Sequence, residues 1–257
     1  MVGGPDSTSR YSTGSLAPDT SIRPRLRPDT LTGSSSLAPT TPTIRPQPRP
    51  LDLVQASSYA QGPSPLGVVF PPITRDALMG AIEADNGPDG LASKLEGKRG
   101  PANRKKFEEI ADLCIKIGNE ENVDPRILFA MAMQESDCGL NTRHSSSATG
   151  VTGMKPSSAP DASARRHLND PETCLRQTAR YLKGQIVREM NAPGRNHGVS
   201  AADLAPGNNN DNTAKILLAY RYGAGGANSR LRSSSIADLR TTSDYSNVFR
   251  HMRDMGL

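Results

Sequence analysis

Apolar residues recur at helical spacing through most of the chain after residue 74 and are sparse before it. In Arg126-Ile127-Leu128-Phe129-Ala130-Met131-Ala132-Met133-Gln134-Glu135-Ser136, positions 127, 128, 131 and 132 define one buried helical face. Glu135 continues that face by one more turn. A carboxylate on a core stripe needs either a partner or a task.

The same pattern predicts further helices. Thr74 is placed to cap a helix, with Ile73 and Leu78 as a hydrophobic staple, and a Gly/Pro/Asp cluster at 86–90 stops it. Asn103 is expected to cap the next helix, whose stripe is Phe107, Ile110, Leu113, Cys114 and Ile117 before Gly118. Asp124-Pro125 is an N-cap followed by proline at the first helical position, and it opens the helix that carries Glu135, with Gly139 closing it. Asp170-Pro171 repeats the device ahead of Leu175, Ala179, Leu182 and Ile186. Ile216, Leu217 and Tyr220 mark a helix that breaks at Gly223. Tyr245, Val248, Phe249 and Met252 mark a last one, with Ser243 as its expected cap. Polar segments at 137–168 and 191–211 are long loops of the kind that carry function. No long alternating run predicts a strand, so the expected fold is mainly α.

Residues 1–65 differ in kind. Ser, Thr, Pro, Gly and Arg dominate, and Lys94 is the first lysine of the chain. Ser15-Leu16-Ala17-Pro18 recurs imperfectly as Ser36-Leu37-Ala38-Pro39, each followed by an Ile-Arg-Pro. Proline at this density blocks helix, and too few apolar side chains remain to offset the entropy of ordering. A disordered arm is expected over 1–65, then a linker with a short helix over 66–102 and a helical domain over 103–257. The arm is expected to act as a spacer, or as a docking segment for a specialised secretion apparatus.

Composition narrows the partners. The chain has 257 residues, 35% hydrophobic, with a formal charge of +5 and four Phe, six Tyr and no Trp. The cationic excess favours anionic polymers or surfaces. The scarcity of aromatic rings argues against general nucleic-acid binding. No stretch approaches the ~18 apolar residues of a membrane span, and the first residues lack the charged start and apolar core of a Sec-type signal. Export is therefore expected by another route. Cys114, Cys138 and Cys174 are odd in number and carry no metal-ligand spacing, so neither a disulfide framework nor a zinc site is expected. Cys114 reads as core packing, and Cys138 and Cys174 as free thiols or a single bridge.

Glu135 admits two readings. One is an exposed helix-end residue paired to an arginine. The other is a general acid, its pKa raised by the negative end of the helix dipole, by Asp137 and by an apolar setting. His144, His167, His197 and His251 have no partners at ligand or triad spacing and read as surface or loop residues. Gly223-Ala224-Gly225-Gly226 lacks the strand and the Lys-Ser/Thr of a phosphate loop. Arg230, Arg232 and Arg240 read as a solvated face.

Five segments in order carry a resemblance. They are Asn122-Val123-Asp124-Pro125 running into Glu135-Ser136; Ser147-Ala148-Thr149-Gly150-Val151-Thr152-Gly153-Met154 with Pro156-Ser157-Ser158-Ala159; the Asp170-to-Leu182 helix; Ala219-Tyr220-Arg221-Tyr222-Gly223-Ala224-Gly225; and Asp244-Tyr245 with Val248. Over roughly residues 105–255 the chain resembles the soluble lytic transglycosylase family, relatives of goose-type lysozyme. The resemblance implies a lysozyme-like helical domain that cleaves peptidoglycan glycan strands between N-acetylmuramic acid and N-acetylglucosamine. It implies Glu135 as the single acid, a 1,6-anhydro product end, and no metal or cofactor. By the same resemblance Ser136, Gly153, Met154, Tyr220 and Arg221 line the substrate site, with Tyr220 against the acid. A monomer acting in the periplasm or envelope, or after secretion, is expected.

The chain departs from that pattern at three places. Lys155-Pro156 follow Met154 where the family has glutamine, Arg221 stands where it has asparagine, and Cys174 replaces the asparagine of the Asp-Pro helix. Arg221 is either a cation for muramoyl carboxylates or stem peptides, or a mark of lost activity. A non-catalytic wall-binding protein and a hydrolytic muramidase are the competing readings.

Overall fold

The computed structural model describes residues 72–87, 90–142, 144 and 147–257. The expected arm over 1–65 lies outside them. Among the described residues there are eight α-helices, in order α1 (Arg75–Ala84), α2 (Gly100–Glu121), α3 (Pro125–Ser136), α4 (Pro171–Tyr181), α5 (Val187–Met190), α6 (Asp211–Ser233), α7 (Ile236–Thr242) and α8 (Ser246–Asp254). A wider helical turn, Leu182–Ile186, joins α4 to α5 without a break. Among the described residues there is no strand; a single antiparallel bridge pairs Thr149 with Met154. The mainly α expectation holds. No described helix is long and apolar enough to cross a membrane.

The caps explain where the helices begin. Thr74 accepts from the Ala77 amide, Asp124 from Arg126, Asp170 from Thr173 and Asn210 from Thr213. Each satisfies an amide that the helix leaves unbonded, an effect of about 1 kcal/mol per cap. Gly223 at φ 70° and ψ 158° kinks α6 where a break was expected. The Asn103 cap is corrected: α2 begins at Gly100 with Pro101 in its first turn, and the Asn103 side-chain amide instead donates to the Lys94 carbonyl. The Ser243 cap is corrected as well. Ser243 ends α7, and its hydroxyl accepts from the Tyr245 amide ahead of α8.

α3 is the hub. Ten of its twelve residues are buried, including Phe129, Ala130 and Met133 outside the expected face. A helix apolar on all sides is one surrounded by others. α2 and α8 pack on it, and α4 packs on α2. α1 also belongs to the packed body. Leu78 and Ile82 are fully buried, and the helix contacts α2 and α8. The segment expected to be a linker thus contributes core, about 1.5–3 kcal/mol for each such side chain. Its ten residues, bounded by Gly and Pro, gave no sign of tertiary partners.

Candidate active site

The base of α3 is fixed by a buried ion pair. The Arg126 guanidinium donates from Nε to Asp124 Oδ1 at 3.0 Å and from Nη2 to Oδ2 at 2.7 Å, while Nη1 donates to the Gly256 carbonyl. The Gly207 amide also donates to Asp124 Oδ2 at 2.7 Å. With its hydrogen bonds made, the pair ties the helix start to the loop before α6 and to the C-terminal residues, which sets the direction in which α3 points.

At its other end α3 emerges from the core. Gln134 and Glu135 are half-buried after an unbroken buried run from Val123 to Met133. The chain then turns sharply through Asp137 and Cys138, both left-handed at φ 52° and 51°, and Gly139 at φ 82°. Left-handed non-glycine residues cost about 1–2 kcal/mol each, so the turn is held by its surroundings. Ser136 supplies much of the hold. Its hydroxyl donates to the Val151 carbonyl at 2.7 Å and accepts from the Gly139 amide at 2.9 Å, and the side chain is buried. Lys94 Nζ meets Asp137 Oδ2 at 2.5 Å.

The loop 149–154 stands opposite. The Thr149 and Met154 backbones exchange hydrogen bonds at 2.9 and 3.0 Å, closing a tight hairpin. Gly150 and Gly153 have φ of +75° and +64°. A Cβ on Gly150 would lie 2.2 Å from the Leu168 carbonyl oxygen and 2.6 Å from Cys174 Sγ. A Cβ on Gly153 would lie 3.0 Å from Glu135 Oε2 and 3.2 Å from His144 Cε1. Both glycines are therefore required by conformation and by close approach. Thr152 is buried, with its hydroxyl 2.6 Å from that of Thr178 and 3.2 Å from Cys174 Sγ. Cys174 thus braces the loop through a weaker partner than the asparagine expected there. The Tyr220 hydroxyl donates to the Thr152 carbonyl at 2.8 Å, and the Tyr220 ring meets Tyr181 edge-on at 6.1 Å.

Glu135 sits where these elements converge, its side chain 13% exposed. Burial is the largest influence on its carboxyl and raises the pKa; Arg221, His144 and the Tyr245 hydroxyl oppose it, and the net displacement is upward. Asp137, expected to contribute, is instead engaged by Lys94. Arg221 Nη1 lies 3.8 Å from Glu135 Oε1, an ion pair without a hydrogen bond. The Tyr245 hydroxyl is buried beside Glu135, its own pKa pushed up by burial and by that carboxylate. It has no partner in hydrogen-bond geometry among the described residues. The His144 ring bonds the Gly150 carbonyl through Nε2 at 2.9 Å, which turns its Nδ1 edge toward Gly153. Tyr222 accepts from the Asp244 amide at 3.0 Å and so binds α6 to the segment that carries Tyr245.

The structure therefore gathers Glu135, Gly153, Tyr220 and Arg221 from three separate segments. Ser136 and Met154 are buried behind them, Met154 at 1% exposure. Tyr220 braces the Gly153 loop, and it is Tyr245 whose hydroxyl faces the acid. His144 and Tyr245 are the residues that spacing missed. His144 lies in a polar loop without a motif, and Tyr245 looked like a stripe residue of the last helix. The surface reading of His251 is corrected: it is buried in α8, with Nδ1 unpartnered among the described residues. All three cysteines are free and buried, so Cys138 and Cys174 are not bridged.

A mainly α domain with one buried carboxylate against a glycine loop is the class these features define. The chain belongs to the Transglycosylase SLT domain family, whose model matches residues 112–241. The match contains Glu135, the glycine loop, Tyr220 and Arg221, and stops short of Tyr245. Comparison with curated proteins and with solved structures returns no match. Members of this family are typically lytic transglycosylases, which places peptidoglycan as the polymer on which the fold acts.

Proposed function

We propose that the protein cleaves the bond between N-acetylmuramic acid and N-acetylglucosamine in peptidoglycan, with Glu135 as acid and then base. The observation that carries the reading is the position of Glu135. It is mostly buried, with a raised pKa, at the one point where the central helix leaves the core, and it faces a glycine whose Cβ would press on its Oε2. A carboxyl whose pKa burial pushes upward keeps its proton more readily than an exposed one, which suits a proton donor.

In the first half of the reaction Glu135 gives its proton to the glycosidic oxygen as the bond to muramoyl C1 breaks. The substrate's own acetamido oxygen stabilises the cation that develops, which lets one enzyme carboxyl suffice. In the second half the muramoyl 6-hydroxyl attacks C1 and its proton passes to Glu135. The acid is restored, the ring is closed as a 1,6-anhydro sugar, and no water is consumed. Gly153 lets the loop backbone approach the sugar, and Tyr220, Thr152 and Ser136 hold that loop in place. The Tyr245 hydroxyl, buried beside the carboxylate, favours its ionised form. Action at the cell envelope follows from the substrate.

The test is product analysis by mass spectrometry after digestion of purified sacculi and of glycan strands freed of their peptides. Anhydro-muropeptides support this reading. Reducing muramoyl ends would make the protein a muramidase, and no release would make it a binding protein on the same fold.

A further inference from the structure

Arg221 differs from the arginines that build the fold. Arg126 and Arg240 are each tied by several hydrogen bonds, to Asp124 and Gly256 in one case and to Asn209 and Asn210 in the other. Arg221 makes no hydrogen bond among the described residues, and its side chain is 42% exposed. Its one ionic contact there is the 3.8 Å approach to Glu135. A guanidinium presents five donors in a planar fork suited to a carboxylate. Here that fork is unspent and exposed, beside the group that must touch the scissile bond. A second cation, Lys155, is exposed immediately after the Gly153 loop and makes no ion pair among the described residues.

The contact with Glu135 is unfavourable for an acid. A cation at that distance favours the ionised carboxylate, and it acts against the burial that raises the Glu135 pKa. An anion on the substrate that drew the fork away would relieve this. The muramoyl ring carries such a group. The lactyl substituent on C3 ends in a carboxyl, two ring atoms from the C1 that Glu135 attends. In stem-bearing glycan an amide to the peptide removes its charge; in stem-free glycan it is a free carboxylate. The carboxylates of a stem lie further along a flexible chain, so a cation beside the acid matches the lactyl group better.

We propose that Arg221 binds the free lactyl carboxylate of a stem-free muramoyl unit and releases Glu135 as it does so, making the site selective for glycan strands already stripped of peptide. This rests on the reading of Glu135 as the acid of a glycan-cleaving site.

The experiment measures binding to Glu135→Gln protein, so that strands survive. Three ligands are compared: stem-free strands, the same strands with the lactyl carboxyl converted to a simple amide, and stem-bearing strands. Stem-free strands are expected to bind about tenfold more tightly than the amide form, the discrimination of one charge-assisted contact. Arg221→Gln on the same protein is expected to bring the two to equal affinity, and Arg221→Lys to restore part of the difference. Equal affinity for acid and amide before the Arg221 change overturns the inference, as does a difference that survives Arg221→Gln. Tightest binding to stem-bearing strands assigns the fork to a stem carboxylate and also overturns it. The two failures separate cleanly. If Glu135 is not the acid, stem-free strands are cleaved equally by wild type and Glu135→Gln, or by neither, whatever the binding shows. If only the inference fails, cleavage depends on Glu135 while acid and amide strands bind alike.

Discussion

The Tyr220 hydroxyl donates to the Thr152 carbonyl at 2.8 Å, joining α6 to the loop that faces Glu135. Thr152 is fully buried, so this carbonyl has little access to water as a substitute partner. Tyr220→Phe keeps the ring and its edge-on contact with Tyr181 but leaves the carbonyl without its donor. The expected cost is about 1–3 kcal/mol of stability, with a larger proportional loss of activity because the loop shifts. Thermal unfolding and sacculus cleavage on the same preparation check both. Wild-type activity in a destabilised variant would show that the loop is not positioned through this bond.

Gly153→Ala tests the close approach itself. The added methyl sits 3.0 Å from Glu135 Oε2 in a left-handed backbone position, φ +64°. Strain of about 1–2 kcal/mol is expected from the backbone alone. Activity is expected to fall at least tenfold, since the methyl displaces the carboxylate or fills the space a sugar would enter. Gly184→Ala, in open helical surroundings, serves as the control and is expected to change neither quantity appreciably.

The pH profile follows from the direction of the Glu135 shift. A proton donor works only while protonated, so cleavage is expected to decline as pH rises through the raised Glu135 pKa. Arg221, His144 and Tyr245 all face that carboxyl and lower its pKa against burial. Removing the cation with Arg221→Gln disfavours the ionised form and raises the pKa further. The alkaline limb measured on stem-bearing sacculi is therefore expected to move to higher pH. A limb that stays in place or moves to lower pH would show that Arg221 does not act on the acid.

Much of this arrangement is legible in the sequence alone. The Thr74, Asp124-Pro125 and Asp170-Pro171 signals placed helix starts because capping is local chemistry, settled within four residues. Glu135 stood out because a charge on a core stripe violates the pattern around it. What could not be read were contacts that close across long stretches of chain. Tyr220 reaches Thr152 across 68 residues, and Ser136 reaches Val151 across 15, in both cases to a backbone atom that leaves no mark in the sequence. Tyr245 meets Glu135 only because α8 packs on α3. Its hydroxyl is chemically distinct, yet its spacing is that of an ordinary core residue.

His251 supplies a stability prediction. It is 3% exposed, near Asp85, Arg250 and Asp254, and burial with the Arg250 charge holds its pKa below the ordinary 6.5. The unfolded chain therefore binds that proton more readily than the folded one. The contribution is complete above 6.5 and is lost as pH falls from there toward the lowered value. Wild type is expected to lose melting temperature over that interval more steeply than His251→Gln. Parallel slopes for the two proteins would show that His251 does not titrate against the fold.

The most direct test of the central claim is Glu135→Gln on purified sacculi, with unfolding measured beside it. The amide keeps the size of the side chain and removes its ability to give and take a proton. The account predicts a folded protein whose melting temperature stays near that of wild type and whose release of anhydro-muropeptides falls by about a hundredfold to ten-thousandfold. A folded Glu135→Gln protein that digests sacculi as fast as wild type would contradict it.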